Sequence, residues 1–278
     1  LRKLGHAVEI LTDPNELSNR PCDVFVSLRK WEVFYNGPGI GKLNYLWCTD
    51  DIDQQSVAPL SDQRIVQKVL QNCDGFIFLS NYHQQRWCEA FKVSPGKIFV
   101  SSMGIPVERF GAQRFNLAKR PPRAYYSSTP FRGLNLLLQA WPRIKDAVPG
   151  AELVIYSSMQ IYGASETSDY QAWYETAKNL SGVMYKGSVG QADLRQGAIA
   201  SRVLAYPCVF PETGCIAAME AMTAGCVVVS TSLGALPETA WRNPLIVPQA
   251  AGWLDEWAGE VARLLVDDAY YMTIAEQN

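Results

Sequence analysis

Short apolar runs alternate with longer amphipathic stretches along the whole chain. In the first half, the runs at 8–11, 24–27, 42–48 and 75–79 read as strands. Residues 62–71 place apolar side chains at 65, 66, 69 and 70, the spacing of one helix face. Ser80 stands where the helix that follows needs a cap. Residues 29–35 read as a helix or a packed loop. In the second half, strands are predicted at 123–126, 151–156, from Val183, and at 203–206, 226–229 and 245–247. Helices are predicted at 134–141, 170–180, 193–200, 214–224 and 254–266, and the last residues also read as helical. Strands and helices in alternation predict a parallel α/β architecture. Glycines 37, 39 and 41 form a turn cluster whose spacing misses the dinucleotide fingerprint. Residues 157–169 read as a polar, exposed loop. Residues 107–122 hold Gly111, Asn116, a basic pair and two prolines, and read as a linker. The expected division is therefore 1–106, linker 107–122, and 123–278.

The stretch from Tyr206 to Glu238 organises the second half. Pro207 and Pro211 punctuate a loop, and Gly225 follows the helix where left-handed backbone is wanted. Glu212 lies in the loop, and Glu220 comes eight residues later on the helix. Helical side chains tilt toward the N-terminus, so Glu220 can lean back toward the loop. The amides of Gly214, Cys215 and Ile216 would point out of the helix start, an anion site suited to phosphate. Carboxylates accept hydrogen bonds from paired sugar hydroxyls.

Glu212-x7-Glu220 is followed by Ala-Met-x-Ala-Gly-x-Val-Val, preceded by Phe210-Pro211, and trailed by Gly234-Ala-Leu-Pro-Glu238. With Thr213-Gly214 at the helix start, this pattern resembles the retaining glycosyltransferases of the GT-B fold, family 4 (group 1). The resemblance is dense from Ser127 to Glu238 and loose before Val100. It implies two Rossmann-like domains across a cleft, the N-terminal one for the acceptor and the C-terminal one for a nucleotide-sugar donor. Residues 1–12 read as a helix end, a glycine turn and a second strand, so the N-terminal domain is expected to lack its first strand and glycine-rich loop.

The same resemblance implies the site roles. Arg132, just before Gly133, would grip the donor diphosphate, and Glu212 would hold the donor sugar; these two are the catalytic candidates. Glu220 would bind the ribose, and Gly187, Ser188 and Val189 would hold the base. Thr213, Gly214, Cys215 and Ile216 would contribute to donor binding. Asp50 and Asp51, at a strand's C-terminal end, and Gly104, in a turn at the cleft, are the acceptor-side candidates. The plainer reading of the two aspartates is a helix N-cap. Two positions depart from the family: Thr49 stands where relatives carry His, and Ser127 where many carry a second basic residue. His83 is expected to be a partly exposed helix residue.

The implied reaction moves a hexose from a nucleotide-diphosphate sugar to a glycan, lipid or protein, with retention, without a metal or cofactor. UDP-glucose, UDP-N-acetylglucosamine and GDP-mannose all stay open as donors. Two other readings stay open: a nucleotide-sugar-binding protein with little or no transferase activity, and a GT-B nucleotide-sugar epimerase. The epimerase would need more His and carboxylate groups facing the cleft.

Composition narrows the field further. Of 278 residues, 48% are hydrophobic and 19% charged, with a net charge of −2. That balance argues against bulk nucleic-acid binding. No apolar span is long enough for a transmembrane helix, though peripheral membrane contact stays open. The seven cysteines are scattered and odd in number, without C-x-x-C. They read as reduced, mostly buried thiols of a cytoplasmic protein, and two histidines make a structural zinc site improbable. No secretory leader is expected at the start.

Overall fold

The structure is a computed structural model that describes residues 2–12, 21–112, 116–160, 163 and 169–278. Parts of the expected linker and of the loop at 157–169 lie outside the described residues. The chain divides into two compact units, Leu1–Ser102 and Met103–Asn278.

In the first unit, strands β1 (Cys22–Leu28), β2 (Gly41–Trp47), β3 (Gly75–Phe78) and β4 (Ile98–Val100) form one parallel sheet in that order. Helices α1 (Glu32–Tyr35), α2 (Gln63–Asn72) and α3 (Asn81–Phe91) connect them. Asp62 and Ser80 cap α2 and α3, their side-chain oxygens accepting from the Arg64 and His83 amides at 2.8 and 3.1 Å. Phe34, Leu46, Val66, Val69, Phe76, Phe78 and Trp87 make the core on one side of the sheet. On its other side Val24, Val26, Leu28, Leu43 and Phe99 stand exposed, in matching register.

Two expectations fail in this unit. Among the described residues, 8–11 join no ladder, Ile10 is 78% exposed, and β1 pairs with β2 alone. An apolar run without a neighbouring strand has nothing to satisfy its backbone groups as a strand. His83 is fully buried rather than partly exposed. It packs edge-on against Phe78 and Trp87, and its Nε2 lies 3.0 Å from the Asp50 carbonyl oxygen.

The second unit has six parallel strands: β5 (Arg123–Ser127), β6 (Glu152–Tyr156), β7 (Val183–Tyr185), β8 (Val203–Ala205), β9 (Val227–Thr231) and β10 (Leu245–Ile246). Their spatial order is β10-β9-β8-β5-β6-β7. This is the doubly wound order, with the switch point between β5 and β8, where open α/β sheets receive ligands. The helices are α4 (Leu134–Ala147), α5 (Gln171–Asn179), α6 (Gln191–Ile199), α7 (Ile216–Thr223), α8 (Leu236–Thr239), α9 (Trp253–Val266) and α10 (Asp268–Ala275). The buried face of α9 is Trp257, Ala258, Val261, Leu264 and Leu265, with Leu254 half-buried.

The glycine after α7 does what the sequence anticipates. Gly225 has φ 82°; its amide donates to Met222 and the Cys226 amide to Ala221, both at 2.9 Å, the two bonds of a Schellman cap.

Three expectations are corrected here. α4 runs past Pro142 to Ala147 rather than stopping at 141, because Ile144 is buried beyond the proline. The expected linker packs into this unit: Phe110 and Leu117 are buried in its core. Arg120, also buried, donates to the carbonyls of Ser201 and Ala224, which ties the segment to the C-terminal end of α7. Ser157 and Ser158, expected in an exposed loop, are buried at the end of β6.

Candidate functional site

The loop after β5 sets the first wall. Thr129 leads into a single 3-10 turn, Pro130–Arg132, which ends at Gly133. Gly133 has φ 113°, and a Cβ there would lie 2.1 Å from the Pro207 carbonyl oxygen. Only glycine lets the start of α4 approach the loop after β8 this closely. Gly133 thus acts through the backbone fit that places Arg132.

Arg132 reaches across the switch point. Its Nη1 donates to Glu212 Oε1 at 2.8 Å and Oε2 at 3.0 Å. The guanidinium lies over the Phe131 and Phe210 rings, 5.6 and 4.6 Å from their centroids. Glu212 is 3% exposed. Its Oε1 also accepts from the Tyr206 hydroxyl at 2.5 Å. Because that phenol donates to the carboxylate, the Ser128 hydroxyl, 3.3 Å away, donates to the phenol oxygen. Burial pushes the Glu212 carboxyl above its ordinary pKa, against the pull of Arg132 and Tyr206. Gly234 fixes the backbone: a Cβ there would lie 2.5 Å from both the nitrogen and the oxygen of Glu212. The Gly-Ala-Leu-Pro-Glu segment therefore serves to hold Glu212, whose carbonyl accepts from the Ala235 amide at 2.7 Å.

Beside Arg132 lies a cavity of about 250 Å³ at the C-terminal ends of β5, β6 and β7. Ser127, Ser128 and Thr129 line it from β5, Tyr156, Ser157 and Ser158 from β6, and Gly187, Ser188 and Val189 from beyond β7. Gln191 and Leu194 close it from the first turns of α6. Among the described residues, Arg132 is its one charged lining residue. The base-site candidates Gly187, Ser188 and Val189 thus share a cavity with Arg132.

The α7 candidates lie apart from that lining. Thr213 and Cys215 are buried, Gly214 is half-buried and Ile216 is exposed. Cys215 occupies the N-cap of α7 without a side-chain cap hydrogen bond. Burial raises the pKa of Glu220, with Arg195 of α6 opposing the shift. Glu212 meets the cavity through Arg132 rather than by lining it.

The residues that sequence reasoning missed are Thr129, Ser157 and Ser158. Each is buried, yet each lines the cavity. The signal available was their place at strand C-terminal ends, but serine and threonine are also ordinary loop residues.

Of the acceptor-side candidates, Asp50 and Asp51 lie in the first unit and are engaged internally, while Gly104 falls in the second unit. Asp50 accepts from Arg29 Nε at 2.5 Å and from the Ser56 hydroxyl. Asp51 accepts from the Ile52 amide at 2.8 Å, from Arg86 Nε at 3.1 Å and from the Tyr82 hydroxyl at 3.4 Å. Neither caps α2, a task that falls to Asp62. A Cβ on Gly104 would meet nothing within 4 Å, so packing there does not require glycine. All seven cysteines are free thiols. Burial pushes Cys73, Cys208 and Cys226 up to about 12. No helix among the described residues is long and apolar enough to cross a membrane.

Comparison with known proteins bears on the same region. The profile of the glycosyl transferases group 1 family matches residues 124–267, more than half of the chain. A GDP-mannose-dependent alpha-(1-6)-phosphatidylinositol monomannoside mannosyltransferase of Mycobacterium tuberculosis is 25% identical over 228 residues, covering 76% of this chain and 57% of its own length. The chain therefore spans little more than half of that relative. The structure of an alpha,alpha-trehalose 6-phosphate synthase from Burkholderia multivorans matches with a TM-score of 0.70 at 14% identity, covering 94% of this chain and 66% of that one. A sucrose-phosphate synthase from Thermosynechococcus elongatus matches with a TM-score of 0.66 at 18% identity, covering 91% and 67%. These structural likenesses speak to the fold, an α/β fold of the GT-B kind. The family profile spans the arginine loop, the cavity and the Glu212 loop together, and this chain belongs to the glycosyl transferases group 1 family.

Proposed function

We propose that the chain carries the donor half of a metal-independent, retaining glycosyltransferase that moves a hexose from a nucleoside diphosphate sugar to a hydroxyl acceptor. The observation that carries this reading is Arg132. It lines a hydroxyl-rich cavity at the C-terminal ends of three parallel strands, beside the switch point. In the reaction, the bond from the sugar's anomeric carbon to the leaving phosphate oxygen breaks, and its electron pair stays on that oxygen. The acceptor hydroxyl oxygen bonds to the anomeric carbon on the same face, and its proton passes to the departing phosphate. Arg132 meets the charge that develops there, a contribution of about 3–4 kcal/mol for a well-placed donor. A guanidinium has five N–H donors, more than one carboxylate takes, so Arg132 can serve Glu212 and a phosphate together. Glu212 sets the plane of the guanidinium, and would hold the sugar only on turning from Arg132, while Glu220 offers a carboxylate to the ribose.

A second reading, nucleotide-sugar binding without transfer, draws support from Ser127 in place of a second cation and from the Arg132–Glu212 ion pair. Epimerisation is disfavoured, since His83 is buried and bonded within the first unit.

The test is isothermal titration with GDP and UDP, alongside release of nucleoside diphosphate from GDP-mannose and UDP-glucose. One nucleotide is expected to bind, and its sugar conjugate to be slowly cleaved. Binding without release would favour the second reading. Failure of both nucleotides to bind would remove the proposal.

A further inference from the structure

Among the described residues, several buried side-chain polar atoms lack a hydrogen-bond partner, Trp47 Nε1 and Ser230 Oγ included, and two of them are hydroxyls of residues that line the cavity. Thr129 Oγ1 and Ser157 Oγ are buried and have no hydrogen-bond partner. Thr129 is 4% exposed and Ser157 2%, and both line the cavity. An orphaned buried hydroxyl is unfavourable by roughly 1–3 kcal/mol, so a folded protein that keeps two around one cavity needs a reason for them. The carbonyl of each is engaged. The Tyr126 hydroxyl donates to the Thr129 carbonyl at 2.7 Å, and the Tyr185 hydroxyl to the Ser157 carbonyl at 2.8 Å. Those bonds hold both residues in place on the cavity lining.

The cavity is also polarised. Its charged end is Arg132, three residues after Thr129, on the loop after β5. Toward β7 the lining turns uncharged, with Tyr156, Val189, Gln191 and Leu194. Neighbouring strands lie ~4.8 Å apart, so the lining from β5 to β7 spans about 10 Å. That span accommodates an anionic group at one end and an uncharged ring system at the other.

We propose that Thr129 Oγ1 donates a hydrogen bond to a phosphate of the bound nucleotide beside Arg132, and that Ser157 Oγ bonds its uncharged nucleoside part. The inference rests on reading the cavity as a nucleotide site, and it adds the two residues that fix the ligand's direction. It also accounts for Ser127: neutral hydroxyls supply phosphate contacts where a second cation is missing. Binding draws on hydroxyl donors that are already buried, so little further desolvation is needed.

The experiment titrates the full chain, as wild type, Thr129→Val and Ser157→Ala, with GDP, UDP, pyrophosphate, guanosine and uridine. Thr129→Val is expected to weaken the nucleoside diphosphate and pyrophosphate by about threefold to tenfold, leaving the nucleoside unchanged. Ser157→Ala is expected to weaken the nucleoside diphosphate and the nucleoside by a similar factor, leaving pyrophosphate unchanged. Thr129→Ser, which keeps the hydroxyl, should retain wild-type affinity. Ligand-free Tm should hold or rise in Thr129→Val and Ser157→Ala, because each removes an orphaned polar group. Wild-type affinities in both variants would overturn the inference, as would a lowered Tm with unchanged binding, the mark of a structural hydroxyl. Loss of pyrophosphate binding in Ser157→Ala would overturn the direction assigned to the ligand. If wild type binds none of the five, the nucleotide reading itself falls, and this inference with it.

Discussion

The aspartates after β2 and the hydroxyls of Thr129 and Ser157 after β5 and β6 are treated in opposite ways. After β2 in the first unit, the carboxylates of Asp50 and Asp51 are taken up by Arg29, Ser56, Arg86, Tyr82 and a backbone amide. Even the Asp50 carbonyl is shared by His83 Nε2 and Trp87 Nε1, each at 3.0 Å. After β5 and β6 in the second unit, the hydroxyls of Thr129 and Ser157 are buried around a cavity without partners. Charge by itself therefore does not mark a site. The aspartates carry formal charge and hold their own loop together. The hydroxyls carry none, and their unmet bonding points to something from outside.

Substitutions can break or sharpen that contrast. Arg132→Ala should have the largest effect, about a hundredfold loss of nucleoside diphosphate affinity by titration. It also leaves Glu212 buried without its cation, a destabilisation of about 3–5 kcal/mol measurable by urea unfolding. Affinity that survives in a folded variant would separate the cavity from phosphate binding.

Gly133→Ala should come next. A Cβ at 2.1 Å from the Pro207 oxygen, at φ 113°, must displace one of the two loops. A loss of roughly 2–4 kcal/mol in unfolding free energy is expected, with weakened nucleotide binding because Arg132 moves. Wild-type stability would show that the two loops are not held as closely as they appear.

Asp50→Asn tests the other side of the contrast. Losing hydrogen bonds from Arg29 and Ser56 to a charged group should lower stability by about 1–2 kcal/mol, while nucleotide affinity stays at the wild-type value. A large drop in affinity would return Asp50 to the list of ligand groups.

Glu220→Gln should be the mildest for stability. Burial raises the Glu220 carboxyl above its ordinary 4.5, so the protonated form favours the folded state. That contribution is complete below the unfolded pKa and is lost as pH rises through the folded value. The variant should gain stability at pH 7, with the gain fading as pH falls through the raised folded pKa and absent below the ordinary 4.5. If Glu220 binds the ribose, the same variant should weaken a ribonucleotide more than its 2′-deoxy counterpart.

Much of the second unit was legible from local pattern. The strand–helix alternation, the amphipathic face of α9, the cap at Gly225 and the Arg132-Gly133 loop all depend on near neighbours in sequence. The misreadings share a cause as well. Residues 8–11 have the composition of a strand but join no ladder. The expected linker became part of the core because Phe110 and Leu117 find apolar partners far along the chain. Ser157 and Ser158 look like loop serines until the tertiary fold buries them.

The sequence by itself determined the class of fold, the order of its elements and the membership of the family, since periodicity, caps and motif spacing act over a few residues. Only the tertiary structure decided which polar groups satisfy one another. Arg132 and Glu212 are 80 residues apart and meet because β5 and β8 lie side by side at the switch point. Whether a hydroxyl or carboxylate is left for a ligand depends on every neighbour the fold brings to it, and that accounting exists only in three dimensions.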